Sequence, residues 1–385
     1  MLKVAIIGTG GIAPSHIKGY LEFSDQCEIV ALCDIYPEKS EKMAKDFNLN
    51  AEVFDDHKKL LERDDIDLVS VCTPPYTHAE ITINSLHADK HVIVEKPMAS
   101  SLEECDAMNE TAKKTGKLLS VIAQNRFRTS FMKLKELLKT ELMGPIVHTQ
   151  VDSFWWRGYS YYDLWWRGTW EKEGGGCTLN HAVHHIDIFQ WMKGMPKEIT
   201  AITSNAAHDN AEVEDISIAI GKYVDGSLAQ ITSSVIHHGE EQQLIFQGKN
   251  ARVSAPWKVA ASKSMENGFP EKDTELEERI QKAYDALPEV EYEGHTGQIH
   301  DVLLALAGEK DLLIDGQQGR QTLELITAIY QSASTKDTVT LPLTDSSPFY
   351  TREGILKNTT YFFEKKTSIE NFSENKITTG SDENN

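Results

Sequence analysis

The stretch that most narrows what this chain can become is Gly8-Thr9-Gly10-Gly11-Ile12-Ala13. It follows at once on the strand-like run Lys3-Val4-Ala5-Ile6-Ile7 and leads into a segment compatible with a helix through Leu21. In that setting GxGxxA has a mechanical reading. Gly8 permits a tight turn, Gly10 lets the backbone approach a pyrophosphate, and the small Ala13 lets the helix pack close to the strand. The phosphates then face the amide groups at the helix N-terminus. A second strand signal, Glu28 to Cys33, ends at Asp34, about twenty residues beyond the fingerprint, where an acid accepts hydrogen bonds from an adenosine ribose. Its carboxylate repels a 2′-phosphate and no arginine follows in Ile35-Tyr36-Pro37, so NAD is favoured over NADP. A glycine turn alone is a weak signal; strand, fingerprint, helix, second strand and acid in register point to a dinucleotide site.

The alternation continues with Leu68 to Cys72 as a strand, Thr73-Pro74-Pro75 as a turn, a helix from about His78 to Leu86, and His91 to Val94 as another strand. Strands joined by helices make an α/β fold with a doubly wound parallel sheet. Ligands of such sheets lie beyond the carboxyl ends of the strands, so Thr73-Pro74-Pro75 and Glu95-Lys96-Pro97 border the same crevice as the glycine turn. With 385 residues the chain exceeds the roughly 250 to 300 at which one core stops growing. Residues 1–124 are expected to form a Rossmann domain and 125–364 a substrate-binding and oligomerisation domain. The remainder, 365–385, is expected to be a loosely held polar tail.

Lys plus Arg number 39 against 59 Asp plus Glu, a net charge of -20 that opposes phosphate backbones and anionic lipid, so neither nucleic acid nor a membrane is an expected partner. The five cysteines are scattered and lack CxxC spacing, which suggests neither a disulfide framework nor a zinc knuckle. The opening MLKVAIIGTG has no basic leader and cleavable apolar run, and no segment approaches about 18 uninterrupted apolar residues, so a cytoplasmic protein is expected.

Several motifs stand in a fixed order: GTGGIA (8–13), TPPYTHAE (73–80), HVIVEKP (91–97), QNRF (124–127), WRGTW (166–170), GGGCTLNHAVHHID (174–187) and GHTGQIHD (294–301). Together they resemble the glucose-fructose oxidoreductase, inositol dehydrogenase and MocA-like (Gfo/Idh/MocA) family over most of the chain. The resemblance implies an N-terminal Rossmann domain and a C-terminal α/β domain. The latter's large, mainly antiparallel open sheet would serve substrate binding and oligomer contacts, hence a homodimer or homotetramer. It implies oxidation or reduction of a secondary carbinol of a sugar or cyclitol with a nicotinamide cofactor. The cofactor contacts expected are Gly8, Thr9, Gly10, Gly11, Ile12, Asp34, Thr73, Pro74, His78, Glu95, Lys96 and Asn125. By the same resemblance Lys96 holds the nicotinamide ribose and the reacting hydroxyl, Pro97 follows a cis peptide, and His184 is the general acid/base.

The chemistry needs those residue types. Hydride loss from an alcohol carbon leaves a protonated carbonyl unless a base takes the hydroxyl proton, and imidazole titrates nearest neutrality. An ammonium beside the same oxygen favours its developing negative charge and fixes the alcohol in place.

If about Cys177 to Lys193 form one helix, Asn180, His184, Asp187 and Trp191 share a narrow stripe, with His181, His185 and Ile188 on an adjacent one. His181 and His185 have the spacing of zinc helices. However, Ala182 stands where a zincin carries glutamate, and Asp187 lies well around the helix from His185, so no metal is expected. Many inositol-type members carry aspartate at Asn180. An amide orients a ring or binds substrate but cannot stabilise an imidazolium by charge, which leaves His184 to act alone and moves the substrate away from plain inositol. Asp187 has two open readings, orienting His184 or bonding backbone.

The segments Ser153–Arg157 and Tyr161–Trp170 hold five of the seven tryptophans. Sugar rings stack their CH faces on indoles and offer hydroxyl edges to arginine and aspartate. Core packing competes for about half of these aromatics. The candidates for substrate contact are Lys96, Arg157, Tyr162, Asp163, Trp166, Arg167, Asn180 and His184, with His295 at the rim of the cleft by resemblance. Arg157 and Arg167 could alternatively clamp a phosphate or carboxylate. The segment 317–332 reads as a structural helix. The sequence is thus that of an NAD-dependent dehydrogenase that reversibly oxidises a secondary ring hydroxyl of a sugar, glycoside or cyclitol. Two alternatives stand beside it: a redox-neutral glycoside hydrolase that reduces and reoxidises its NAD within one cycle, and a non-catalytic sugar-sensing regulator on the same fold. The presence of both Lys96 and His184 counts against the last.

Overall fold

In the computed structural model, which describes residues 1–370 and 372, the apolar runs of the first third become six strands. They are β1 (Leu2–Ile7), β2 (Cys27–Cys33), β3 (Glu52–Phe54), β4 (Leu68–Val71), β5 (His91–Val94) and β6 (Leu119–Val121). All pair in parallel in the order β3-β2-β1-β4-β5-β6. β4 is buried along its whole length, as expected where helices cover both faces of a parallel sheet. The strand order reverses between β1 and β4, and a crevice opens there beyond the carboxyl ends.

The second sheet contains β7 (Ile146–Phe154), β8 (Glu198–Ser204), β9 (Ile216–Lys222), β10 (Leu228–Ser234), β11 (Gln242–Gly248), β12 (Ala251–Ala255), β13 (Lys258–Ser264), β14 (Pro270–Lys272) and β15 (Val339–Thr340). Their order is β14-β13-β12-β11-β7-β10-β9-β8-β15, and every neighbouring pair is antiparallel except β7 with β10. Burial alternates along β9, the period-2 signature of a sheet covered on one face. The helices Val183–Lys193 and Gly316–Thr335 pack against this domain's core, while Ile202, Ile218 and Ile220 stand exposed on the open face. Ile202 is registered opposite Ile218. Among the described residues no helix is long and apolar enough to cross a membrane.

Two late helices return to the first sheet. Ile299, Val302 and Leu303 of helix Gly294–Leu306 share a core with Val4, Ile6, Ile17 and Tyr20. A Cβ on Gly319 would meet the Val121 side chain on β6. The spatial unit around the glycine turn therefore draws on chain that a linear reading assigns to the second domain.

The single helix expected over about 177–193 is two, Cys177–Asn180 and Val183–Lys193. Buried Glu214 accepts from the amides of Gly176 and Thr178 at 3.1 and 3.0 Å and anchors the short helix. The Ala182 amide bonds Cys177 five residues back, so the side-chain stripes are out of register across the break. The start of the expected loose tail is tied down: Lys365 Nζ donates to the Arg167 carbonyl at 2.9 Å, and Ile369 exchanges backbone bonds with Asp163 and Trp165. The part of that tail beyond 372 lies outside the described residues.

Candidate active site

At the crevice, Gly8 has φ +94, and a Cβ there would fall 2.7 Å from the Cys72 carbonyl, so only glycine fits. Gly10 and Gly11 differ: a Cβ on either would meet nothing of the chain within 4 Å. Their bareness does not serve internal packing and fits the close approach of a ligand backbone. Asp34 Oδ2 accepts from Thr9 N at 2.8 Å and Thr9 Oγ1 at 3.1 Å, and Oδ1 from Tyr36 N at 3.0 Å. The carboxylate is thus aimed at the mouth of the glycine turn. The first turn of helix Ala13–Glu22 carries no acidic residue, leaving its amide end free of competing negative charge. These residues fit a dinucleotide.

Lys96 follows β5, and the Lys96–Pro97 peptide is cis. Lys96 Nζ donates to the Asn180 carbonyl at 3.3 Å. Lys96, Asn125 and His184 line one crevice with Val183 and Thr322. Burial pushes the Lys96 ammonium pKa down, with Glu95 acting against it. Burial, then Lys96 and His185, hold His184 well below the ordinary imidazole value, which keeps its ring neutral. Asn180 Nδ2 donates to the Gly175 and Gly176 carbonyls at 2.9 and 3.3 Å, fixing the amide at the side of Lys96.

Several expected contacts are placed otherwise. His78 is fully buried, with its ring nitrogens facing the carbonyls of Pro97 and Thr73; it braces two loops of the crevice and does not reach into it. Glu95 is also committed: Oε1 faces His16 Nε2 at 3.0 Å and His295 Nε2 at 3.1 Å, while Oε2 accepts from Lys96 N. His295 Nε2 is therefore held by Glu95. Tyr162 is 2% exposed and packs edge-on to His208. Its hydrophobic ring belongs to the core, and its neighbour Tyr161 faces His181, hydroxyl to Nε2 at 3.4 Å. Asp163 accepts from Asn210, and Trp166 stacks on the Arg167 guanidinium at 4.2 Å.

Asp187 takes neither of its two expected roles. It accepts two bonds from Arg126, both at 2.8 Å, and a third from Thr322 Oγ1 at 2.8 Å. Arg126 is fully buried and also reaches Gln318. This network clamps helix Val183–Lys193 to the start of helix Gly316–Thr335. The His181 and His185 pair is split, His185 facing Ser153 at 3.0 Å and His181 facing Tyr161. The donors that converge are instead His16, Glu95 and His295, whose ligand-type atoms lie within 4.8 Å of one another and are joined by the hydrogen bonds above. Arg126, His16 and Tyr161 were not singled out from sequence. The one signal that could have found Arg126 was its place in QNRF, a buried-strand exit carrying a charge.

Models of known families match both parts of the chain: an oxidoreductase family with an NAD-binding Rossmann fold over residues 2–123, and its C-terminal α/β domain over 135–341. The chain is 26% identical over 359 residues to D-glucoside 3-dehydrogenase of Escherichia coli, covering 88% of this chain and 97% of the relative. It is 27% identical over 263 residues to inositol 2-dehydrogenase/D-chiro-inositol 3-dehydrogenase of Lacticaseibacillus casei, covering 66% and 72%. Among solved structures, the WlbA dehydrogenase of Bordetella pertussis, in complex with NADH and UDP-GlcNAcA, superposes with a TM-score of 0.77 at 26% identity, covering 89% of this chain and 99% of that one.

Proposed function

The chain belongs to the Gfo/Idh/MocA oxidoreductases, NAD-binding enzymes acting on CH–OH groups, and from that premise we propose that it oxidises, reversibly, a secondary ring hydroxyl of a sugar, glycoside or cyclitol. The observation that carries the reading is the meeting of Lys96 and His184 on one cavity just past the carboxyl end of β5, where the neighbouring Glu95 bonds His16 of the helix that follows the glycine turn. Bound NAD supplies the hydride acceptor. His184, neutral through burial and the nearby Lys96, takes the hydroxyl proton. Lys96, steadied by the Asn180 carbonyl, stabilises charge on the same oxygen. Asn180 has its Nδ2 engaged with Gly175 and Gly176, which leaves Oδ1 to accept from a substrate hydroxyl. The near full-length likeness to a D-glucoside 3-dehydrogenase favours a glycoside. A second copy of the chain packed on the open sheet face would cover Ile202, Ile218 and Ile220 and give the expected homo-oligomer.

The test is a screen of monosaccharides, glycosides, cyclitols and sugar nucleotides for NADH formation, followed by His184→Ala on the best substrate. We expect the turnover of the variant to fall by about 10²- to 10⁴-fold with NADH affinity within about twofold of the parent. Unchanged turnover sinks the role of His184. A hydrolysed product with no net NADH establishes the redox-neutral hydrolase instead.

A further inference from the structure

The two arginines that could have formed a clamp for an anionic substrate are already matched. Arg157 Nη1 donates to Glu240 Oε1 at 2.7 Å, and the same oxygen accepts the Trp156 amide at 3.0 Å. Arg167 Nη1 donates to Glu173 Oε1 at 2.8 Å, while Glu173 Oε2 accepts the Gly168 amide at 2.6 Å. Both carboxylates are buried, their side chains 2% and 1% exposed, whereas the arginines keep 19% and 22%. The pairs flank one ring: Tyr161 lies 5.7 Å from the Arg157 guanidinium and 4.2 Å from that of Arg167. Tyr161 in turn faces His181, hydroxyl to Nε2 at 3.4 Å, and the preceding residue, Asn180, accepts Lys96 Nζ on its carbonyl at 3.3 Å, so this wall adjoins the lysine. The nearby Lys365 points its ammonium at the Tyr162 and Arg167 carbonyls.

We propose that the Arg157–Glu240 and Arg167–Glu173 pairs make this wall select a substrate ring that carries no charge, a neutral glycoside or polyol over its uronate or phosphate counterpart. The proposal rests on the dehydrogenase reading above and names its substrate class. A substrate carboxylate approaching Arg157 would share the guanidinium with Glu240, and two carboxylates on one cation repel each other. Glu240 cannot give way, because it is buried and holds the Trp156 amide. A hydroxyl oxygen faces no such conflict. Each guanidinium has five N–H donors and commits Nη1 to its carboxylate, so the other donors can meet hydroxyls without adding charge to the wall.

The test compares kcat/KM for the best substrate of the screen with its neutral, uronate and 6-phosphate forms, in wild type, Glu240→Gln and Arg157→Gln. We expect the neutral form to be favoured by about tenfold or more in wild type, the size of one unrelieved charge contact of about 1.4 kcal/mol. Glu240→Gln, which leaves Arg157 unmatched, should shift the ratio toward the uronate. Arg157→Gln, which removes the cation and keeps the Glu240 carboxylate, should shift it the other way. General damage to the wall cannot produce opposite signs. NADH binding confirms that each variant is folded, and Glu173→Gln replaces Glu240→Gln if that variant does not fold. A wild type that uses the uronate or phosphate as well as the neutral form, or variants that shift the ratio in one direction, overturns the charge selection alone. A screen in which nothing is oxidised overturns the dehydrogenase reading itself, and the selection falls with it.

Discussion

The dinucleotide crevice and the wall around Tyr161 are assembled by different means. The crevice is made by backbone: a glycine at φ +94, a helix N-terminus and an acid on the neighbouring strand, all within the first 34 residues. The wall is made by side chains, such as Arg157 with Glu240, which meet from 83 positions apart. Backbone geometry tolerates changes of side chain around it, whereas a buried charge pair depends on both partners. The crevice can thus stay constant while the wall changes its substrate.

Three perturbations separate the two regions. Arg126→Met strands the buried Asp187 carboxylate with only Thr322 for company, and we expect a loss of about 3 to 5 kcal/mol in unfolding free energy. If the regions are as separable as their construction implies, NADH affinity of the folded variant at low temperature stays near that of the parent. A collapse of NADH binding in folded protein would show that the Arg126–Asp187 clamp supports the crevice.

Acid acts next. Burial, then Arg128, holds His185 down to about 4. A group with a depressed folded pKa contributes stability that is complete above its unfolded value of about 6.5 and is lost as pH falls toward the folded one. Chemical denaturation should therefore show a decline between about pH 6.5 and 4, on the order of 3 kcal/mol for this group, and His185→Gln should flatten that part of the curve. A wild-type profile flat through this range contradicts the buried neutral ring.

Asp34→Ala has the smallest expected effect and belongs to the crevice alone. Loss of the ribose acceptor should weaken NAD by about tenfold, near 1.4 kcal/mol, and narrow the preference over NADP because the repulsion of a 2′-phosphate disappears. The neutral-over-uronate ratio of the wall should not move. NADH fluorescence titration and kcat/KM with both cofactors measure it, and an unchanged NAD affinity removes Asp34 from the site.

Legibility in the sequence followed the same division. The parallel strands and the helices Ala13–Glu22 and His78–His87 were readable because strand, turn and helix are local patterns. The break at His181 and Ala182 was not, since it depends on Glu214, a residue more than thirty positions later whose carboxylate anchors the short helix. Tyr162 and Tyr161 are adjacent and chemically alike, and only packing decides that the first enters the core. The motifs that hold His78 and Glu95 are local, yet the hydrogen-bond partners of these side chains, Thr73 and, from elsewhere in the chain, Pro97, His16 and His295, turn them into supports.

The dinucleotide fold follows from residue type at short spacing, and the same local patterns mark Lys96 and His184 as the residues to test. Only the tertiary structure decided what surrounds them. Whether an arginine is a free cation or half of an ion pair depends on which carboxylate the fold carries to within 3 Å of it, and here Glu240 and Glu173 stand at 2.7 and 2.8 Å.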